Sequence, residues 1–297
     1  MYVIDIIWRP VGQDQFAPGI ASWPDHGESP VFFPLSAGSH VSWAIDGPKK
    51  CIGSRDPTGA HIRCPEQSIV SANRQRCGPC SATDQMGPCI RCRGTACDAS
   101  ESRISRCQNS EYAVYLAVFK DRTLKVGVST LSRVKIRWLE QGADFAGVVS
   151  TTHGGMSARK IEDHLGHMTG ITKQVRGERK ASGLVQQLDI EQAHSIAKEF
   201  LASNNMTSSD SSFTLEDLSG YYGLSDVDTQ PRPWRFSLAL RSCQHLVGDV
   251  VGVKGSLLVT RTGSAFMATN LKQLIGYSVS VDPQAMMIAQ TGLLDFL

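Results

Sequence analysis

Eight of the nine cysteines in this 297-residue chain fall between Cys51 and Cys107, and that concentration constrains the fold more than any other feature. It contains two C-x-x-C pairs, Cys77-Gly-Pro-Cys80 and Cys89-Ile-Arg-Cys92, flanked by Cys51, Cys64, Cys97 and Cys107. Two cysteines at this spacing, with turn-forming residues between them, bring their thiolates to one tetrahedral ion at Zn–S distances of about 2.3 Å. Eight thiols make two four-cysteine sets. Taken in chain order, Cys51, Cys64, Cys77 and Cys80 hold one structural zinc, and Cys89, Cys92, Cys97 and Cys107 hold a second. A cross-braced arrangement exchanges the two pairs between sites, and spacing leaves it open. His61 is an alternative ligand in the first set.

A disulfide framework would use the same even count. Against it, Met1-Tyr-Val-Ile-Asp-Ile-Ile-Trp8 lacks the basic, apolar and cleavage-site parts of a secretory signal, so a reducing, cytoplasmic setting is expected. Residues 51–110 hold few large aliphatics and many Gly, Pro, Ser and Arg, so metal is expected to substitute for a hydrophobic core there. The isolated Cys243 reads as a small buried hydrophobe.

The overall charge of +2 becomes informative when divided along the chain. Residues 1–49 carry −3, residues 50–110 carry +4, residues 115–180 carry +6 and residues 186–297 carry −4. A basic middle between acidic ends suits a polyanionic partner, and equally suits a solvated helix face. No apolar run approaches the ~20 residues of a membrane span, so no membrane partner is expected.

The pattern predicts four segments: β-rich 1–50, the double four-cysteine module 51–110, an α/β core 111–185, and a helix with further strands over 186–297. Residues 1–50 read as short strands broken by turn signals. In the core, 112–119 and 124–129 read as a hairpin. Residues 133–141 form a helix stopped at Gly142, 146–151 a strand, and 155–166 a helix with Ser157 as N-cap. Residues 190–204 form an amphipathic helix, followed by the polar loop 203–212 and then strands near 246–255, 256–260, 265–269 and 276–281. The fold class is α+β, with the terminal β segments expected to pair into one barrel around the inserted modules.

Within the core, Tyr112-Ala-Val-Tyr115-Leu-Ala, then Leu124-Lys125-Val-Gly127-Val-Ser, then Arg137-Trp138-Leu-Glu-Gln141-Gly142-Ala143 together resemble the GIY-YIG nuclease core. With Cys51-Ile-Gly and Gly94-Thr-Ala-Cys97 they are similar to the bacterial domain-of-unknown-function family 2797, which couples a zinc-ribbon-like cysteine module to such a core. The resemblance covers roughly residues 50–180. It implies a phosphodiesterase, dependent on Mg²⁺ or Mn²⁺, that acts on DNA more than RNA. Tyr115 then matches the tyrosine of the first motif and Gly127 the glycine of the second. Arg137 clamps the phosphate with its planar fork, and Glu162 holds Mg²⁺ through a carboxylate oxygen. Lys125 stands where the second motif has its tyrosine, and would neutralise phosphate instead. Arg133 competes with Arg137, and Lys135, Arg159 and Lys160 extend the nucleic-acid surface. Trp138 reads as core packing. The departures at Ala113-Val114, Lys125 and Val128 keep open a second reading, a nucleic-acid-binding protein that has lost cleavage. A third is a core used on a small anionic ligand.

Overall fold

The computed structural model describes residues 1–27, 29–204, 213–236 and 243–281. Chain contacts divide it into two compact units. One is built from Met1–Asp84 together with the residues from Pro231 on, and the other from Gln85–Gln230. The division falls inside the 51–110 stretch, so the first four cysteines belong to one unit and the second four to the other.

The first unit carries strands β1 (Tyr2–Gly12), β2 (Gln15–Trp23), β3 (Val31–Pro34), β4 (His40–Asp46), β5 (Ser54–Arg55) and β6 (His61–Ile62) and the short helix α1 (Gly78–Thr83). The chain returns to it with β12 (Arg232–Trp234), β13 (Gln244–Lys254), β14 (Leu257–Thr262), β15 (Ala265–Asn270) and β16 (Ser278–Val281). Nine of these strands form one sheet in the order β12-β15-β14-β13-β4-β16-β1-β2-β3. The two ends of the chain pair as expected, β4 lying between β13 and β16 and β16 against β1.

The expected barrel is corrected. The sheet is open, with β12 and β3 as its edges. Both edges are short and carry a proline, Pro233 and Pro34, which suits a strand that stops pairing rather than one that closes a cylinder. The first two strands are also longer than the turn signals suggested, because Pro10 and Pro18 are carried inside them. Ile4, Ile6 and Trp8 pack beneath the sheet, and the Trp8 indole donates to the Gly255 carbonyl at 3.1 Å. Cys243 is exposed, so the expectation of a buried thiol fails there.

The second unit holds helices α2 (Gly87–Arg91) and α3 (Glu101–Gln108), strands β7 (Glu111–Val118) and β8 (Leu124–Thr130), helix α4 (Val134–Gln141), β9 (Phe145–His153), α5 (Gly155–Leu165), β10 (Ile171–Thr172), α6 (Gly177–Ser182), α7 (Ile190–Ser203) and β11 (Glu216–Asp217). Its five strands lie in the order β10-β8-β7-β9-β11. The central strand β7 is buried on both faces. Tyr112, Val114, Leu116 and Val118 meet Leu124, Val126 and Val128 under Ala158 and Leu165 of α5 and Ala193, Ala197, Phe200 and Leu201 of α7. Fully burying a side chain such as Leu165 contributes about 1.5–3 kcal/mol. The opposite face is narrower: Ala113, Tyr115 and Ala117 face α4, whose Trp138 and Leu139 are buried.

Helix α4 stops at Gly142 as the sequence predicts, with Gly142 in the left-handed conformation at φ 66°. Helix α5 begins earlier than predicted, at Gly155, so Ser157 sits inside its first turn and does not cap it. The polar loop 203–212 lies, from residue 205 on, outside the described residues. No helix among the described residues is long and apolar enough to cross a membrane.

Gly127 of β8 is a tight point of this unit. It stands directly opposite Tyr115, and a Cβ there would lie 2.4 Å from the Tyr115 hydroxyl oxygen. The ring cannot swing away, because it is fully buried against Trp138. Gly127→Ala is therefore expected to destabilise the protein by about 1–3 kcal/mol through overpacking, seen as a lowered urea midpoint at unchanged slope. An unchanged midpoint would show that the ring is free to move.

Candidate metal centre and candidate active site

In the first unit the backbone alone brings four cysteines together. The segment around Cys51 is bonded into a short double-stranded arrangement, with Cys51 N–H donating to Ser68 at 2.8 Å and Ile52 N–H to Gln75 at 2.9 Å. At Gly53 (φ 85°) the chain turns so closely that a Cβ would sit 1.9 Å from the Ile62 carbonyl oxygen and 3.0 Å from the Cys64 nitrogen. Only glycine permits that approach, and it sets Cys51 beside Cys64. Pro79 starts α1, which holds Cys77 and Cys80 on one turn. A buried ion pair fixes the end of this helix. Arg55 makes two bonds to Asp84, at 3.1 and 3.0 Å, and Arg76 approaches the same carboxylate at 3.7 Å.

The result is that the sulfurs of Cys51, Cys64, Cys77 and Cys80 all lie within 4.8 Å of one another, the Cys64–Cys77 pair at 4.0 Å. An ion with four sulfurs at about 2.3 Å sets them ~3.8 Å apart, so the donor set fits a tetrahedral metal site. The grouping is the sequential one. Apart from Val70, the local apolar cluster is made of the cysteines themselves, as expected where metal replaces a core. His61 is not a member. Its ring is lowered to about 4, chiefly by burial and then by Arg55 and Arg76, and stays neutral.

The four thiols are not equivalent. The Cys80 backbone N–H lowers Cys77 to about 7, whereas burial raises both Cys51 and Cys80. A metal must displace protons from the raised pair, so the ion is held at neutral pH and released as pH falls. Cys80→Ser is expected to lose one equivalent of bound metal and most of the folded protein, while Cys243→Ser keeps both. Elemental analysis and circular dichroism check this, and full metal content in Cys80→Ser would contradict it.

The other four cysteines do not converge in this way among the described residues. Cys89 accepts a bond from Arg103 at 3.2 Å, Cys92 lies 3.7 Å from the Met156 sulfur, Cys97 is exposed and Cys107 packs at the edge of the core.

The residues expected to do chemistry lie in the same unit. Tyr115 on β7, Lys125 and Gly127 on β8 share one face of the sheet by register. Among the described residues the outer edge of β8 has no strand neighbour beyond Lys125, since β10 pairs only with Leu124 and Lys125. Tyr115 lies across Gly127 toward that open edge. Its hydroxyl accepts a 2.7 Å bond from Gln141 Nε2, a partner the sequence reading quoted but assigned no role. Burial raises the Tyr115 phenol strongly; Arg137 opposes the rise and the charge of Glu162 adds to it. Gln141 and Arg137 of α4 and Glu162 of α5 therefore act on one hydroxyl of β7. Two further polar atoms on the buried side of α4, Trp138 Nε1 and Gln141 Oε1, have no hydrogen-bond partner among the described residues.

The side chain of Arg137 is 48% exposed and bonds Glu140 at 3.2 Å; Arg133 reaches the same carboxylate at 3.1 Å. Glu162 is 18% exposed and paired to Arg159 at 2.6 Å. Lys135 pairs with Glu216 and lies over the Tyr221 ring. Lys160 is exposed, and Lys125 donates to the Val126 carbonyl at 3.1 Å.

A family model described as "Protein of unknown function (DUF2797)" matches residues 38–279, most of the chain. The chain belongs to the DUF2797 family. The match starts just before β4 and ends within β16, so it takes in both cysteine sets, the whole second unit and the part of the first sheet from β12 to β16. No curated protein and no solved structure matches the chain.

Proposed function

We propose that this DUF2797 chain is a zinc-stabilised, metal-dependent phosphodiesterase acting on nucleic acid, with a GIY-YIG-type site at the open edge of β8. The observation that carries the reading is the action of Arg137 and Glu162 on the Tyr115 hydroxyl, although the three are far apart in the chain. Zinc is the ion that suits the first quartet, because four thiolates in a closed tetrahedral set are its preferred ligands. For the second quartet, Cys92-Arg-Gly94 repeats a detail of the first. Gly94 N–H donates to Cys92 Sγ at 3.4 Å, as Gly53 N–H does to Cys51 Sγ. That shared turn supports a second zinc held by Cys89, Cys92, Cys97 and Cys107.

At the active edge, Gln141 orients the phenol so that its proton points away from the amide. Arg137 presents a half-exposed side chain suited to a non-bridging phosphate oxygen, and its charge counters the loss of Tyr115 acidity that burial imposes. Lys125, on the same face, would add positive charge beside the phosphate. Glu162 would leave its pairing with Arg159 to hold Mg²⁺ or Mn²⁺, which supplies Lewis-acid stabilisation of the phosphate charge. The released Arg159, with Arg133, Lys135 and Lys160, would bind flanking phosphates, DNA before RNA.

A second reading rests on a specific observation. Tyr115 has no exposed surface, and the second motif's tyrosine is replaced by Lys125, as suits a nucleic-acid-binding protein without cleavage. Incubation with single-stranded, branched and duplex nucleic acids separates the two. On the first reading, cleavage requires Mg²⁺ or Mn²⁺, Glu162→Gln removes it with binding nearly intact, and Tyr115→Phe lowers it by about 10²-fold or more. Salt-sensitive binding with no cleavage by the wild-type chain under either metal would establish the second reading instead.

A further inference from the structure

Among the described residues, two buried donors near the first cysteine set lack an acceptor, the hydroxyl of Tyr2 and Nε of Arg76. Tyr2 is 8% exposed and begins β1, some fifty residues from the nearest cysteine in sequence. The fold nevertheless ties it to that site. Tyr2 stands opposite Trp23 in register, and the Trp23 indole donates to the Ile52 carbonyl at 3.5 Å. On the other side of Cys51, Lys50 N–H donates to Gly276 at 2.7 Å, and Gly276 N–H donates to Val3 at 2.9 Å. Both residues flanking Cys51 are thus fastened to the start of β1 and its partner. Nothing in the sheet needs the phenol oxygen, since phenylalanine would fill the same space.

The electrostatics point the same way. After burial, the largest influences on the Tyr2 hydroxyl are the thiol groups of Cys51 and Cys64, and the Cys51 thiol also acts on Arg76. Arg76 directly precedes Cys77 and spends only part of its guanidinium on Asp84. Four thiolates around a divalent ion leave a dianion, and such charge in a buried place needs hydrogen-bond donors around it. Backbone groups supply some. Cys51 Sγ already accepts from Gly53 N–H at 3.4 Å and Cys77 N–H at 3.2 Å.

We propose that Tyr2 and Arg76 supply the remaining donors, giving O–H···S and N–H···S bonds to the sulfurs of the metal-loaded cluster. Tyr2 is then a positioning residue of the metal centre, and the ion's retention is coupled to the seating of the first strand. No proton moves: a neutral phenol and a charged guanidinium point existing hydrogens at thiolate sulfur.

The test uses the full chain loaded with zinc, and in parallel with cobalt, whose sulfur-to-metal charge-transfer band reports directly on the thiolates. Tyr2→Phe is expected to release zinc to a competing chelator about tenfold more readily and to shift the cobalt band, with an unchanged circular-dichroism spectrum. Tyr277→Phe, at a buried tyrosine on which no cysteine thiol acts, is expected to do neither. Arg76→Lys keeps the charge and deletes the Nε donor, and is expected to weaken retention in the same direction. Wild-type retention and an unshifted band in both variants would overturn the proposal, as would a wild-type chain that takes up no ion at the first quartet.

Discussion

The convergence of four sulfurs at Cys51, Cys64, Cys77 and Cys80 is the constraint on which the first unit depends. Around these residues there is little other apolar mass to bury, Val70 being the aliphatic packed on the cluster among the described residues. Short two-residue strands and a six-residue helix have no stability of their own. What fixes them is the set of backbone bonds that place each cysteine and the Arg55–Asp84–Arg76 cluster at the end of α1, leaving four thiols in a volume that one ion fills. Through Trp23 at the end of β2 and Gly276 just before β16 the same segment is joined to the nine-stranded sheet.

The second unit solves a different problem by ordinary means. A strand buried on both faces, β7, lets α5 and α7 cover one side with aliphatic side chains while α4 covers the other with Trp138 and Leu139. The narrow face is where polar groups collect. Tyr115 fits there only because Gly127 has no Cβ, and its hydroxyl is bonded to Gln141. A fully buried phenol with an amide partner, near an arginine and a glutamate on separate helices, is more polar machinery than packing requires.

Much of this was legible in the residues. The hairpin of β7 and β8, the stop of α4 at Gly142 and the pairing of Cys77 with Cys80 follow from local rules, because alternation, a left-handed glycine and C-x-x-C spacing act over a few residues. Spacing left open which other cysteines join that pair, and the structure supplies Cys51 and Cys64. The misses share a cause in tertiary context. Pro10 and Pro18 signal breaks, yet both lie within long paired strands. Paired terminal segments suggested closure, but short proline-bearing edge strands leave the sheet open. Cys243 is apolar enough to bury and is exposed instead. Gln141 stood in a motif without a role and Tyr2 had no local signal, since each acquires meaning only from a group distant in the chain.

The central claim is that one ion sits among four sulfurs in place of a core. Zinc K-edge X-ray absorption on the purified chain tests it most directly, because it reads the atoms bound to the metal. The account expects a first shell of four sulfurs at about 2.3 Å and no nitrogen or oxygen. A shell containing nitrogen at about 2.0–2.1 Å would bring His61 or another group into the site and contradict it.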